Sequence, residues 1–158
     1  MDSAWIEEQL RCAAIPADKG LGHKLLTYLT LLQSWNKQMD LVADVSDEEV
    51  VARHFLDSLM VLTIPGLIPR EGAMIDVGTG AGFPGLPLAM VCPGLQVTLM
   101  DAQEKRVRFL RAVTEAVGIK NVTILHQRSE DGARTALRQT FQLAVARALA
   151  PLPVLAEY

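Results

Sequence analysis

The chain has 158 residues, of which half are apolar and 21% are charged, and its formal net charge is −3. This length and composition predict one folded domain with its own core and exclude a disordered chain. They also exclude a membrane span, a secretory signal, a disulfide framework and a zinc site of the usual spacing, so we expect a cytosolic protein with no bound metal.

The small net charge hides an asymmetry along the chain. Residues 1–104 contain 6 Lys and Arg against 14 Asp and Glu, whereas residues 105–158 contain 9 against 4. A basic segment in an otherwise acidic protein indicates one surface for a polyanionic partner.

The first part of the chain is predicted to be helical. Over 20–39, apolar residues recur every three or four positions and form one apolar helix face. Ser46 and Glu49 have the spacing of a capping box, which predicts a helix over about 47–62. Three residues that break helices follow: Pro65, Gly66 and Pro69.

From residue 73 onward, short apolar strands alternate with helices. The predicted strands are 73–77, 96–100, 121–125 and 142–146, and the predicted helices are 84–91 and 102–117, the second ending at Gly118. This alternation predicts a doubly wound parallel α/β sheet, because a parallel crossover needs a connection of helix length. Ligands bind such a sheet beyond the carboxyl ends of its strands.

A glycine-rich turn, DVGTGAGFPG over 76–85, follows the first predicted strand. Gly80, Gly82 and Gly85 fit the G-x-G-x-x-G pattern, and its place between a strand and a helix predicts a nucleotide cofactor rather than a structural turn. No G-K-[ST] sequence follows, which excludes a P-loop.

Charge indicates which cofactor this turn binds. From Glu71 to Glu104 the chain has four carboxylates and no Lys or Arg. Asp76 at the strand end would repel a diphosphate and attract a ligand with an ammonium and a sulfonium, such as S-adenosylmethionine. Asp101, at the end of the second strand, is placed to accept both ribose hydroxyls of a nucleoside.

Five motifs carry a family resemblance: SWNKQMDL (34–41), RHFLDSL (53–59), DVGTGAGFPGLPLA (76–89), LMDAQEKRVRFLR (99–111) and ARALAPLPVLAEY (146–158). They resemble the bacterial ribosomal RNA small subunit methyltransferase G family, also called glucose-inhibited division protein B. The resemblance implies a Rossmann-like class I S-adenosylmethionine-dependent methyltransferase fold with a helical N-terminal extension. It also implies methyl transfer to N7 of a guanine in 16S ribosomal RNA of the small subunit.

The same resemblance implies roles for individual residues. Gly78 and Phe83 would line the cofactor, Ser129 and Glu130 would border its adenine, and Arg147 would reach the cofactor or the target. Together with the turn and the ribose carboxylate, the predicted cofactor site is Asp76, Gly78, Gly80, Gly82, Phe83, Asp101, Ser129, Glu130 and Arg147.

The sequence departs from the family pattern in two respects. Asp40-Leu41-Val42 stands where the family often has Asn-Leu-Thr, which changes the expected local hydrogen bonding. A sheet of this class has three more strands after the fourth, so we expect a truncated protein or fragment. Its predicted parts are a helical extension (1–70) and a cofactor-binding core (71–158). The fourth strand would then be an exposed edge, which predicts dimers.

Methylation of guanine N7 needs no general base, because N7 has a lone pair and no proton. We therefore predict none, and we assign Arg147 and His54 as candidates for positioning the target. For His54 a purely structural place beside an Arg53–Asp57 pair is the alternative. His23 and His126 are weaker candidates.

RNA contacts are predicted on the basic helix after Asp101. Arg108 and Arg111 are paired by spacing with Glu104 and Glu115, whereas Arg106 has no carboxylate three or four residues away. The predicted RNA-binding residues are Lys105, Arg106 and Arg128, with Arg134 and Arg138 extending the patch. A solvated helix face is the alternative for each.

Two other functions stay open on the sequence. One is a nicotinamide-dependent Rossmann oxidoreductase, which Asp76 and the absence of basic residues over 71–104 disfavour. The other is a truncated module that binds the cofactor without catalysis.

Overall fold

The computed structural model describes residues 1–132, 137 and 140–147. Its helices are α1 (Ser3–Cys12), α2 (Leu21–Asn36), α3 (Asp47–Val50), α4 (Asp57–Leu59), α5 (Gly85–Val91), α6 (Glu104–Val117) and α7 (Ser129–Gly132). Its strands are β1 (Gly72–Val77), β2 (Leu95–Asp101), β3 (Val122–His126) and β4 (Leu143–Val145). A π-helical turn (Val51–Leu56) joins α3 to α4, and a 3-10 turn (Met60–Thr63) follows α4.

The four strands form one parallel sheet in the order β3-β2-β1-β4. The predicted alternation of strands and helices is therefore confirmed, with strand ends within one residue of those expected. In the register, Asp76 of β1 lies opposite Leu99 of β2 and Val145 of β4. The carboxyl end of β1 is thus flanked on both sides by other strand ends, which is where a ligand crevice forms in such sheets.

The N-terminal helices and the sheet share one core. Tyr28 of α2 packs against Phe55 of the π-helical turn, Phe83 after β1 and Phe109 of α6, with ring centroids 5.3 to 6.2 Å apart. All four side chains are buried. Burial of this apolar area fixes the helical extension against the sheet, and the division into parts at residue 70 stays a prediction.

The helix that begins after Ser46 starts where predicted, but the capping box does not form. The Ser46 side chain makes no cap hydrogen bond, and its backbone N–H donates to Asp44 Oδ1 at 2.8 Å. Glu49 Oε1 pairs instead with Arg53 Nε at 2.6 Å, one turn further along the helix. The capping box is therefore missing because the Glu49 carboxylate pairs with Arg53 and not with the Ser46 N–H. At the predicted end of α6, Gly118 has φ +67° and ends the helix, as expected.

The loop after α2 is held by the side chain of Asn36. Its Oδ1 accepts the backbone N–H groups of Leu41 (2.8 Å) and Val42 (3.0 Å), and its Nδ2 donates to the Val42 carbonyl (3.1 Å). All three bonds run to the backbone of Leu41 and Val42 and do not involve the side chains that depart from the family pattern, so the expected change in hydrogen bonding stays a prediction. None of the helices described here is both long and apolar enough to span a bilayer.

Candidate functional site

Asp76 organises the glycine-rich turn from beneath. The carboxyl group is fully buried, and its Oδ2 accepts the Thr79 hydroxyl at 2.7 Å and the Gly85 N–H at 2.8 Å. Its Oδ1 is buried and has no hydrogen-bond partner among the residues that the structure describes. Burial raises the pKa of Asp76 from its ordinary 3.8 to about 6, against the lowering effect of the two hydrogen bonds. Because Oδ1 is itself buried, Asp76 acts on a ligand above the turn through its charge, and the predicted direct contact with the cofactor stays a prediction.

Two positions of the turn require glycine, because atoms of neighbouring residues lie where a Cβ would be. A Cβ on Gly82, whose φ is +100°, would lie 2.6 Å from the Tyr28 hydroxyl oxygen. A Cβ on Gly85 would lie 2.4 Å from Leu99 Cδ2 and 2.7 Å from Asp76 Oδ2. The turn therefore packs directly on α2 and β2, and a side chain at either position would force it off the sheet.

The end of β2 closes the other side of this turn. Asp101 is 3% exposed, and its Oδ2 accepts the Gly80 N–H at 2.9 Å while its Oδ1 accepts the Gln103 N–H at 2.9 Å. The Thr79 N–H donates to the Met100 carbonyl at 3.1 Å. A carboxylate offers about four lone-pair sites, so these bonds leave acceptor capacity for ribose hydroxyls.

Arg106 lies beside this carboxylate. Its Nη1 is 3.6 Å from Asp101 Oδ2, and its side chain is 31% exposed. Arg106 thus has a carboxylate partner five positions earlier in the sequence. Helical spacing did not reveal the pair, because Asp101 belongs to the strand and comes close only through the turn before α6. Of the pairs predicted on α6, Arg108–Glu104 is confirmed at 2.9 Å.

The remaining RNA and adenine candidates lie around the ends of β2 and β3. Lys105 is exposed at the start of α6, and Arg128 is exposed just before α7. Ser129 and Glu130 begin α7, where the Ser129 hydroxyl donates to Glu130 Oε2 at 3.3 Å. Two further predicted residues, Arg134 and Arg138, lie outside the described part of the chain.

Arg147, after β4, binds the helical extension. Its Nη1 donates to the Arg53 carbonyl at 3.1 Å and to Asp57 Oδ2 at 3.2 Å, and its Nη2 lies 2.8 Å from His54 Nδ1. The structure thus brings together the two predicted positioning residues, about 90 positions apart in sequence. The suggested Arg53–Asp57 pair is wrong, because Arg53 pairs with Glu49 and Asp57 accepts from Arg147.

Phe83 lies between this cluster and the core. His54 stacks on its ring at a centroid distance of 4.8 Å and an interplanar angle of 16°, and Tyr28 stacks at 5.3 Å and 16°. The guanidinium carbon of Arg147 lies 5.3 Å from the ring centroid. Phe83 is only 4% exposed, so its predicted cofactor contact stays a prediction that rests on a small part of the ring.

Three residues of the site were missed as such in the sequence. Tyr28 had the pattern of an apolar helix face, yet its hydroxyl donates to the Ala81 carbonyl inside the glycine-rich turn. Thr79 lay within the turn but gave no signal of its bond to Asp76. Asp57 had the spacing of an ion-pair partner for Arg53 within one helix. The described residues contain no cluster of three or more His, Cys, Asp or Glu that could hold a metal ion.

One family model and several curated relatives match most of this chain. The family model GidB, rRNA small subunit methyltransferase G, matches residues 22–158. The chain is 46% identical over 136 residues to Ribosomal RNA small subunit methyltransferase G of Clostridium botulinum (strain Eklund 17B / Type B), which is 85% of this chain and 56% of that protein. It is 48% identical over 136 residues to the protein of that name from Alkaliphilus metalliredigens (strain QYMF), with the same shares. The chain spans about half the length of these curated relatives.

Solved structures with the same fold include crystal structures of MtNAS. The complex with MTA and tNA matches with a TM-score of 0.55 and 18% identity, covering 78% of this chain and 45% of that chain. A mutant of MtNAS in complex with S-adenosylmethionine matches with a TM-score of 0.53 and 17% identity, covering 95% and 67%. At these identities the likeness shows the fold alone, and it agrees with the predicted class I methyltransferase sheet.

Proposed function

Because the chain belongs to the rRNA small subunit methyltransferase G family, we propose that it transfers the methyl group of S-adenosylmethionine to N7 of a guanine in 16S ribosomal RNA. The small ribosomal subunit would be its partner, and the cytoplasm its place of action. The observation that carries the proposal is the glycine-rich turn held by two carboxylates, Asp76 and Asp101, at the carboxyl ends of β1 and β2, where a ligand crevice forms in such sheets.

The residues of this crevice fit a cationic nucleoside cofactor. Asp76 Oδ1 is buried and has no hydrogen-bond partner among the described residues, so the negative charge of this carboxylate is little screened and attracts a cation bound above the turn. Asp101 keeps acceptor capacity for hydroxyls, and Arg106 beside it limits the local negative charge. When bound, the cofactor supplies an electrophilic methyl group on a sulfonium.

The strand order gives the crevice two ends. Asp101 ends β2 on one side of β1, and Arg147 follows β4 on the other. With the ribose at Asp101, the target base would enter beside Arg147 and His54. Lys105 and Arg128 are exposed at the nucleoside end and would contact RNA phosphates. Because N7 needs no deprotonation, the role of Arg147 and His54 is to hold and orient the base. This positioning supplies the main catalytic effect.

The test is transfer of a tritiated methyl group to small subunits that lack the modification, followed by mapping of the labelled base. Label at N7 of one 16S guanine supports the proposal. Label at another atom, or none with intact subunits and saturating cofactor, contradicts it.

Calorimetry separates the alternatives. Binding of S-adenosylhomocysteine but not NAD supports the methyltransferase, and the reverse supports a nicotinamide oxidoreductase. Binding of S-adenosylhomocysteine without methyl transfer supports a cofactor-binding module that lacks catalysis.

A further inference from the structure

The contact between Arg147 and His54 fixes the protonation of the imidazole ring. An arginine side chain has donors and no acceptor, so at 2.8 Å from Arg147 Nη2 the His54 Nδ1 must accept. An imidazole that accepts at Nδ1 is neutral and carries its proton on Nε2. The geometry therefore assigns His54 one tautomer and makes it a hydrogen-bond donor through Nε2.

The groups around His54 hold this state. The ring stacks on Phe83, and Arg147 is itself anchored on Asp57 Oδ2 and on the Arg53 carbonyl. The charged side chains that act on the ring are Arg147, Arg53 and Asp57. Burial, followed by the charge of Arg147, lowers the pKa of His54, while Asp57 acts in the opposite direction. The ring is half-buried, and Nε2 makes no hydrogen bond to any described residue.

The position of this donor suggests what it recognises. His54 and Arg147 lie at the carboxyl ends of β1 and β4, the end of the crevice away from Asp101, where the proposed function places the target base. Beside N7, guanine presents the acceptor O6, whereas adenine presents the donor N6 amino group. A donor aimed at N7 itself would occupy the lone pair that attacks the methyl group, so O6 is the productive acceptor.

We propose that His54 selects guanine over adenine by donating its Nε2–H to guanine O6, and that Arg147 is the positioning residue that fixes this donor. The assignment rests on the proposed function and adds a source of base specificity to it. With adenine in the same place, the His54 Nε2–H would face the N6 amino group, and two donors repel each other. With guanine, the bond to O6 leaves N7 free for the reaction.

The first test is the tautomer of His54, which can be measured without catalysis. Long-range proton–nitrogen NMR spectra of the histidine-labelled chain resolve three rings, His23, His54 and His126. We expect His54 to be neutral with the proton on Nε2 at pH 7, and we expect Arg147→Met to populate the other tautomer and raise the His54 pKa. A proton on Nδ1, or a charged ring at pH 7, overturns the assignment.

The second test is base selectivity with small subunits that carry guanine or adenine at the methylated position. His54→Leu should reduce the guanine-over-adenine ratio of kcat/KM by about tenfold, mainly through KM for guanine subunits, since one hydrogen bond is lost. His54→Gln should restore most of the ratio, because its amide oxygen accepts from Arg147 while its amide nitrogen donates. His23→Leu, on the exposed face of α2, is the matched control and should behave as the parent.

Affinity for S-adenosylhomocysteine shows whether a variant has damaged the crevice, and His54→Leu should change it less than twofold. An unaltered ratio in His54→Leu beside an active parent overturns this assignment and leaves the proposed function standing. Absence of methyl transfer by the parent chain overturns both.

Discussion

At the scale of single residues, the buried carboxyl group of Asp76 accepts the hydrogen bonds that hold the glycine-rich turn in place. Its pKa is raised from 3.8 to about 6, so folding favours the protonated form. Its contribution to stability is therefore complete below about pH 4 and is lost as the pH rises through 6. We expect the free energy of unfolding to fall by about 3 kcal/mol across this window because of this one group.

Urea denaturation at a series of pH values measures this effect in the parent and in Asp76→Asn, which should lack it. Asp40→Asn, in the exposed loop after α2, serves as the control and should keep the pH dependence of the parent. An equal pH dependence in Asp76→Asn and the parent would contradict the assignment of the shift to Asp76.

Gly85 is the second residue-scale feature, because its missing side chain lets the turn contact β2. In Gly85→Ala the new Cβ would lie 2.4 Å from Leu99 Cδ2 and 2.7 Å from Asp76 Oδ2. We expect S-adenosylhomocysteine affinity to fall more than tenfold, together with a lower Tm. Gly118→Ala is the matched control, since its φ is +67° but open space surrounds it. It should cost about 1 kcal/mol of stability and leave affinity unchanged, as measured by calorimetry. Equal affinities in Gly85→Ala and the parent would refute the packing argument.

At the scale of elements, the start of α6 has two basic residues with different surroundings. Lys105 is exposed, whereas Arg106 lies against the buried Asp101. We expect Lys105→Gln to weaken RNA binding and to lower the slope of log K against log salt by about 1, with no effect on S-adenosylhomocysteine. Arg106→Gln should instead weaken S-adenosylhomocysteine binding, because Asp101 loses a contact that orients its carboxylate toward the ribose hydroxyls. Arg108→Gln, from the exposed pair with Glu104, is the control for both.

Filter binding over a range of salt concentrations measures the RNA slope, and calorimetry measures the cofactor analogue. The division of roles at the start of α6 fails if Lys105→Gln keeps the parent slope, or if Arg106→Gln keeps the parent affinity for S-adenosylhomocysteine.

The π-helical turn is the element that links the helical extension to the crevice. It carries Arg53 and His54, and Asp57 follows directly after it, so all three described hydrogen-bond partners of Arg147 come from one short segment. Turns of this kind are rare and are found often at functional sites. The sequence predicted a helix over 47–62 with no signal for this local widening.

At the scale of the whole molecule, the edge of the sheet at β4 determines the expected assembly. Among the described strands, β4 pairs with β1 alone, on its inner side. An unpaired strand edge is a template for a second chain. We expect dimers at high protein concentration, and we expect Ala144→Lys, a charge at an exposed position of β4, to reduce them.

Light scattering over a concentration series measures this association. A monomeric mass for the parent at the highest concentration would rule out pairing through β4. An Ala144→Lys variant that dimerises as strongly as the parent would place the interface elsewhere.

Much of the fold could be predicted because its signals are local. Short apolar runs predicted the four strands, and Gly118 predicted the end of α6, since a left-handed residue there is a property of a few adjacent positions. The same reasoning failed where two local partners compete, as for Glu49, which pairs with Arg53 and leaves Ser46 without its cap. The short helix α7 was not predicted.

The sequence by itself determined the sheet, the glycine-rich turn and the acidic character of the crevice, because periodicity, glycine spacing and charge count depend only on neighbouring residues. Only the tertiary structure decided which of these groups meet. Arg147 finds His54 and Asp57 about 90 positions away, Arg106 finds Asp101 across a turn, and Asp76 is buried under the loop it was expected to line. The physical reason is that hydrogen bonds and ion pairs act over a few ångströms of space, and chain folding sets those distances independently of sequence separation.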